Sequence, residues 1–108
     1  MTQEKIERSS GNVFADLGVD VPNEMLAKAK LASAILDVIK HRGLTQLQAA
    51  KILDTDQSYI SKLNRGSELR RFSFDRLMDW LTKLDRNVTL TVKQKPRSQE
   101  SALIRVAV

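Results

Sequence analysis

The stretch from residue 44 to residue 66, LTQLQAAKILDTDQSYISKLNRG, limits what this chain can fold into more than any other. It contains two short amphipathic runs separated by Asp54, Thr55 and Asp56. Thr45 is an N-cap candidate for a helix over Gln46–Leu53. Asp56 is one for a helix from Gln57 to about Arg65, which Gly66 closes. Two short helices that meet at a wide angle need particular residues where they cross. Counting Gln46 as the first, the fifth residue is Ala50, and only a small side chain there lets the second helix approach. The fifteenth and eighteenth are Ile60 and Leu63, apolar anchors that seat the second helix, while Ala49 and Leu53 supply the matching face of the first. That is the spacing of a helix-turn-helix.

The flanking sequence supplies more helices and then changes period. Pro22 and Asn23 open a first long helix: Asn23 can cap it, and Glu24 sits in the first turn where the helix dipole favours it. Leu31, Ile35, Val38 and Ile39 give this helix one apolar face, His41 and Arg42 fall in its last turn, and Gly43 is its expected C′ residue. Ser73 is the cap expected for a helix over residues 74–84, with Phe74, Leu77, Met78, Leu81 and Leu84 as its stripe. After it, Val88, Leu90 and Val92 alternate with Asn87, Thr89, Thr91 and Lys93, which predicts a half-exposed strand over residues 87–93. Residues 94–98 read as a proline-broken linker, and residues 102–108 as a second short β-prone stretch. The expected organisation is a disordered leader at 1–12, a helix-turn-helix domain at 13–86 with its motif at 45–66, and a C-terminal strand region at 87–108 that serves dimerisation. No internal repeat is present.

Composition narrows the function classes. A chain of 108 residues holds one domain and is too short for a two-domain enzyme. With 42% hydrophobic and 29% charged residues it is not globally disordered. There is no cysteine, hence no disulfide framework and no cysteine-ligated zinc. Without an export signal or an apolar run of roughly 18 residues, the expected compartment is the cytoplasm. The net charge of +5 is unevenly spread. Residues 1–22 hold two Lys/Arg against four Asp/Glu, and residues 23–108 hold sixteen against nine. A basic body behind a mildly acidic leader suits a phosphate-binding domain with a separate front segment, although basic charge alone would also suit a ribosome or an anionic membrane. The lone His41 reads as a helix-end cation, and the serines have no base partner, so the expectation is a non-enzyme without cofactor or metal.

With Thr45-Gln46, Ala50, Ile60 and Asn64-Arg65-Gly66 in place, the chain resembles the XRE family of helix-turn-helix proteins, the group that includes Cro and the lambda repressor. It departs at Asp54, where that family usually has a turn glycine; aspartate tolerates the left-handed conformation, so the turn is expected to survive. Residues 11–18, GNVFADLG, together with the strand after the last helix, further resemble HigA-type antitoxins, extending the likeness over roughly residues 10–93. The fold so implied is mainly α, a lambda-repressor-like domain of four or five helices with a C-terminal dimerisation β-strand.

The resemblance puts Gln57, Ser58, Ser61 and Lys62 on the groove-facing side of the recognition helix. The chemistry agrees, since glutamine pairs with adenine, lysine donates to guanine and serine serves either. A merely solvated face is the competing reading. Gln46 resembles the family's phosphate contact, and Tyr59, Arg65, Arg70 and Arg71 are backbone-clamp candidates, with Arg70 and Arg71 equally readable as a solvated loop. Phe72, Phe74 and Trp80 read as core or interface rather than base-stacking groups. Val88, Leu90 and Val92 are expected to pair with the same strand of a second copy, so that a homodimer presents two recognition helices to a palindromic operator in double-stranded DNA. Phe14 and Leu17 either dock on the domain as a satellite cluster or form a toxin-binding segment that orders on contact. The function expected is a transcriptional repressor that is also the autoregulating antitoxin of a type II pair with a RelE/HigB-like toxin. The alternatives are a stand-alone or prophage XRE-type regulator, and a protein-interaction adaptor that merely keeps the fold.

Overall fold

A computed structural model describes residues 23–107 of the chain. Four α-helices follow one another: α1 (Asn23–His41), α2 (Gln46–Leu53), α3 (Gln57–Arg65) and α4 (Phe74–Lys83), with a 3₁₀ turn at Leu69–Arg71 between the last two. The leader and its apolar patch, with Phe14 and Leu17, lie outside the described residues.

The ends of the helices explain why they stop where they do. At the start of α2 the Thr45 hydroxyl accepts from the Gln48 amide at 3.1 Å, and the Gln48 side chain accepts from the Thr45 amide at 2.8 Å. This reciprocal capping box satisfies two amide donors that have no partner within the helix. Ser73 caps α4 by accepting from the Arg76 amide at 3.1 Å. Asp56 precedes α3 in extended conformation, but its side chain makes no capping hydrogen bond. Instead the Tyr59 amide turns back to the Asp56 carbonyl at 3.0 Å.

Three helix ends close with one and the same pair of bonds. Leu44 donates to Ile39 and Gly43 to Lys40; Thr55 donates to Ala50 and Asp54 to Lys51; Arg86 donates to Leu81 and Asp85 to Thr82. Each is a Schellman closure, which needs a left-handed residue at C′. Gly43 has φ 66°, and the two aspartates take the same conformation, Asp54 with φ 55° and Asp85 with φ 65°. The turn without glycine therefore survives at Asp54, as expected.

The core is continuous across all four helices. Leu31, Ile35, Val38 and Ile39 of α1 join Ala49, Ala50 and Leu53 of α2, Ile60 and Leu63 of α3, and Leu77, Trp80 and Leu81 of α4. Ala50 is 3% exposed, and the small side chain sits at the predicted crossing position. Phe72 and Trp80 are core residues packed edge to face, with ring centroids 5.6 Å apart. Trp80 is therefore not available as a surface. Lys28 is the single charged residue buried among those described. Its amine donates to the Arg70 carbonyl at 3.4 Å, pairs with Glu24 at 3.6 Å and lies 5.4 Å from the centroid of the Phe74 ring. This ties α1 to the 3₁₀ turn.

The expected C-terminal strand is not formed. No strand occurs among the described residues, and residues 87–95 make no backbone–backbone hydrogen bond to any of them. The physical reason is that a strand bonds only to another strand, and the described residues offer none. Val88 rests partly buried on the core, while Leu90 is 76% and Val92 97% exposed. Val106, near the other end of this segment, also packs on the core. Between them Gln99 donates to the Pro96 carbonyl, and Lys95 to those of Pro96 and Gln99, forming a local turn.

Candidate nucleic-acid interface

Ile60 and Leu63, each 1% exposed, fix the rotation of α3 about its axis. At 3.6 residues per turn, anchoring these two inward leaves Ser58, Ser61, Lys62 and Arg65 on the outer half, with Gln57 at its margin near the amino end. Gln57 and Ser58 are exposed, and Ser61 and Lys62 are half-buried. The four residues expected to read bases therefore share one outward aspect of one short helix. Gln46 is the first residue of α2, half-buried, directly after the Thr45 cap.

Two of these side chains are already engaged. The Ser61 hydroxyl accepts from the Arg65 guanidinium at 3.2 Å. The Lys62 amine lies 5.1 Å from the centroid of the Tyr59 ring. A second cation shares that ring: the Arg76 guanidinium carbon, brought in by α4, is also 5.1 Å from it. Tyr59 itself is set against Phe72 edge to face, with centroids 6.2 Å apart. Tyr59, Lys62, Glu68, Arg71, Ser73 and Arg76, together with Phe72, line a cleft of about 260 Å³ beside the outer face of α3.

The charges around this cleft are unbalanced. Glu68 is committed to Arg71 at 3.4 Å, and among the described residues no carboxylate pairs with Lys62, Arg65 or Arg76. A concentration of cations without matching anions, on a helix presenting hydrogen-bonding groups, suits a polyanion with readable edges. Arg70 and Arg71 occupy the 3₁₀ turn with exposed side chains, and the Arg70 carbonyl is held by Lys28. Arg76 is the site residue that sequence reading misses. The signal present was its position just after the Ser73 cap and off the apolar stripe of α4, but its nearness to Tyr59 depends on the tertiary fold, in which Phe72 packs on both Tyr59 and Trp80. Val88, Leu90 and Val92 belong to the separate, unpaired segment after α4.

The described residues include no group of acidic or histidine side chains that could hold a metal, and no helix long and apolar enough to cross a membrane. A helix-turn-helix domain family model matches residues 13–93. A solved structure of a protein assigned to the XRE family of transcriptional regulators superposes with a TM-score of 0.71 at 38% identity, covering 80% of this chain and 96% of that one. No curated protein matches.

Proposed function

Because the chain belongs to the helix-turn-helix domain family, we infer that it is a sequence-specific regulator of transcription that binds double-stranded DNA through α3. The observation that carries this reading is the outer aspect of α3. Ile60 and Leu63 are locked inward, hydrogen-bonding side chains lie on the other side, and unpaired cations gather at its edge. In this reading Gln57, Ser58, Ser61 and Lys62 contact base edges in the major groove. Gln46, Arg65, Arg70 and Arg71, joined by Arg76, contact the phosphate backbone. Two copies, paired through the segment that holds Val88, Leu90 and Val92, set two such helices on one face of a palindromic operator, and bound DNA is closed to polymerase.

The test is binding to duplexes from the chain's own upstream region over a range of salt. Affinity should fall with a log–log slope of about −0.9 per phosphate neutralised. Gln57→Ala or Lys62→Ala should cost on the order of 1–3 kcal/mol and relax sequence preference, whereas Gln46→Ala should weaken all duplexes alike. Binding insensitive to salt, or equal losses from all three variants on every duplex, would remove the assignment.

A narrower reading makes this regulator the autoregulating antitoxin of a type II pair in the cytoplasm. It is supported by the acidic offset of residues 1–22 and by the inclusion of residues 13–22 in the family match. A toxin that binds RNA is basic, and an acidic segment anchored by Phe14 and Leu17 is complementary to it. Co-expression with the neighbouring gene product should rescue growth, and a chain starting at residue 23 should lose rescue more than DNA binding. A harmless neighbour would leave a plain regulator.

A further inference from the structure

We propose that Tyr59 is a positioning residue whose ring holds Lys62 in place for reading DNA, rather than a contact to the phosphate backbone; this rests on the DNA-binding role inferred above. Three observations carry it. The ring has two cations from two different helices, Lys62 and Arg76, each 5.1 Å from its centroid. The ring is fixed from behind through Phe72, which is 2% exposed and is itself packed edge to face on the buried Trp80. And the two cations have no carboxylate partner among the described residues, so the ring is the group that holds them.

The physical sense lies in the chemistry of lysine. Its ammonium is a point charge on a flexible four-carbon stem, and freezing that stem at the moment of binding is an entropic cost. A ring that already attracts the ammonium through its negative face restricts the stem before DNA arrives. Lys62 is three residues after Tyr59 on α3, one turn along the same side, so the contact forms within the helix. Tyr59 thereby converts a mobile charge into a directed donor, and pre-organisation of this kind raises affinity without any new contact. Arg76 on the same ring ties the amino end of α4 to α3, so the backbone-facing and base-facing cations keep a fixed separation. Cation–π contacts at exposed positions each change an equilibrium about two- to five-fold, so losing both should change binding about five- to twenty-fold.

The experiment uses the full chain. A preferred duplex is selected from a random-sequence library by the wild-type protein, and a shuffled duplex of the same length is the control. Tyr59→Leu removes the ring's π face, and Tyr59→Phe keeps it while removing the hydroxyl. Tyr59→Leu is expected to weaken binding to the selected duplex about five- to twenty-fold. It should lower the preference for that duplex over the shuffled one by the Lys62 share, about two- to five-fold, with Tyr59→Phe restoring most of both. Adding Lys62→Ala to Tyr59→Leu should reduce the preference no further than Lys62→Ala alone. In the free protein, the Lys62 ε-methylene protons should be shifted upfield by the ring current, with the shift lost in Tyr59→Leu and kept in Tyr59→Phe. The same spectra report whether each variant is folded. Equal losses from Tyr59→Phe and Tyr59→Leu would show that the hydroxyl touches DNA and overturn the proposal, as would unshifted Lys62 protons in the wild type. If no duplex is preferred by the wild type, the DNA-binding role falls first, and the free-protein spectrum still decides separately whether the ring holds Lys62.

Discussion

Val88, Leu90 and Val92 alternate along the chain as regularly as Leu31, Ile35, Val38 and Ile39 recur along α1, and the two patterns end in opposite states. The α1 stripe is buried in the core shared by the four helices, while Leu90 and Val92 stand in solvent. Apolarity does not separate them; the destination of the backbone hydrogen bonds does. A helix satisfies its own amides and needs a neighbour only for its apolar face, so four short helices with good caps close into one body. An extended segment leaves its amides and carbonyls for another strand, and among the described residues none pairs with residues 87–93. Alternation is thus a statement about a partner, whereas helical periodicity is a statement about the chain itself.

This contrast can be broken in the body or in the tail. The largest effect belongs to the body: Phe72→Ala should destabilise the protein by about 3–5 kcal/mol in denaturant unfolding, since it empties a fully packed site between Tyr59 and Trp80. A loss below about 1 kcal/mol would mean that the helices do not form one cooperative unit. Smaller and opposite in sign, Asp54→Gly should raise stability by about 0.5–1 kcal/mol, because glycine takes the left-handed conformation at φ 55° without a Cβ penalty. Thermal unfolding measures it, and an unchanged midpoint would mean that the aspartate side chain offsets the strain. The smallest effect on the protomer belongs to the tail. Leu90→Lys should leave the stability of dilute protein within about 0.5 kcal/mol, as expected for an exposed site, while the sedimentation coefficient falls to that of a monomer. A variant that stays dimeric would detach the tail from assembly.

Much of the body is legible in the residues because its determinants are local. Thr45 announces its cap and Ser73 its own, and Ala50, Ile60 and Leu63 the crossing, while the reciprocal bond from Gln48 is added by the structure. The left-handed Asp54 follows from the closing position it occupies. Asp56 looks equally like a side-chain cap and is not one, because the first bond of α3 returns to its carbonyl instead. What the residues do not reveal is set by contacts distant in sequence. Nothing near Arg76 indicates Tyr59, and nothing near Lys28 beyond Glu24 indicates the carbonyl of Arg70. The tail is the mirror case: its pattern is plain, and no strand among the described residues pairs with it.

The sequestered amine of Lys28 has a use in labelling chemistry. An ammonium donating to a carbonyl and ion-paired with a carboxylate, with a side chain only 7% exposed, is closed to acylating reagents while α1 stays docked on the 3₁₀ turn. The exposed Lys40 and Lys51 are open to the same reagents from the start. Acylation of Lys28 is therefore gated by separation of α1 from the turn that carries Arg70 and Arg71, and its rate times that opening. Mass spectrometry of a labelling time course would follow it at one residue, in the free protein and on DNA, without a spectroscopic probe. Slower labelling on DNA would place the arginine turn among the parts of the molecule that the duplex holds shut.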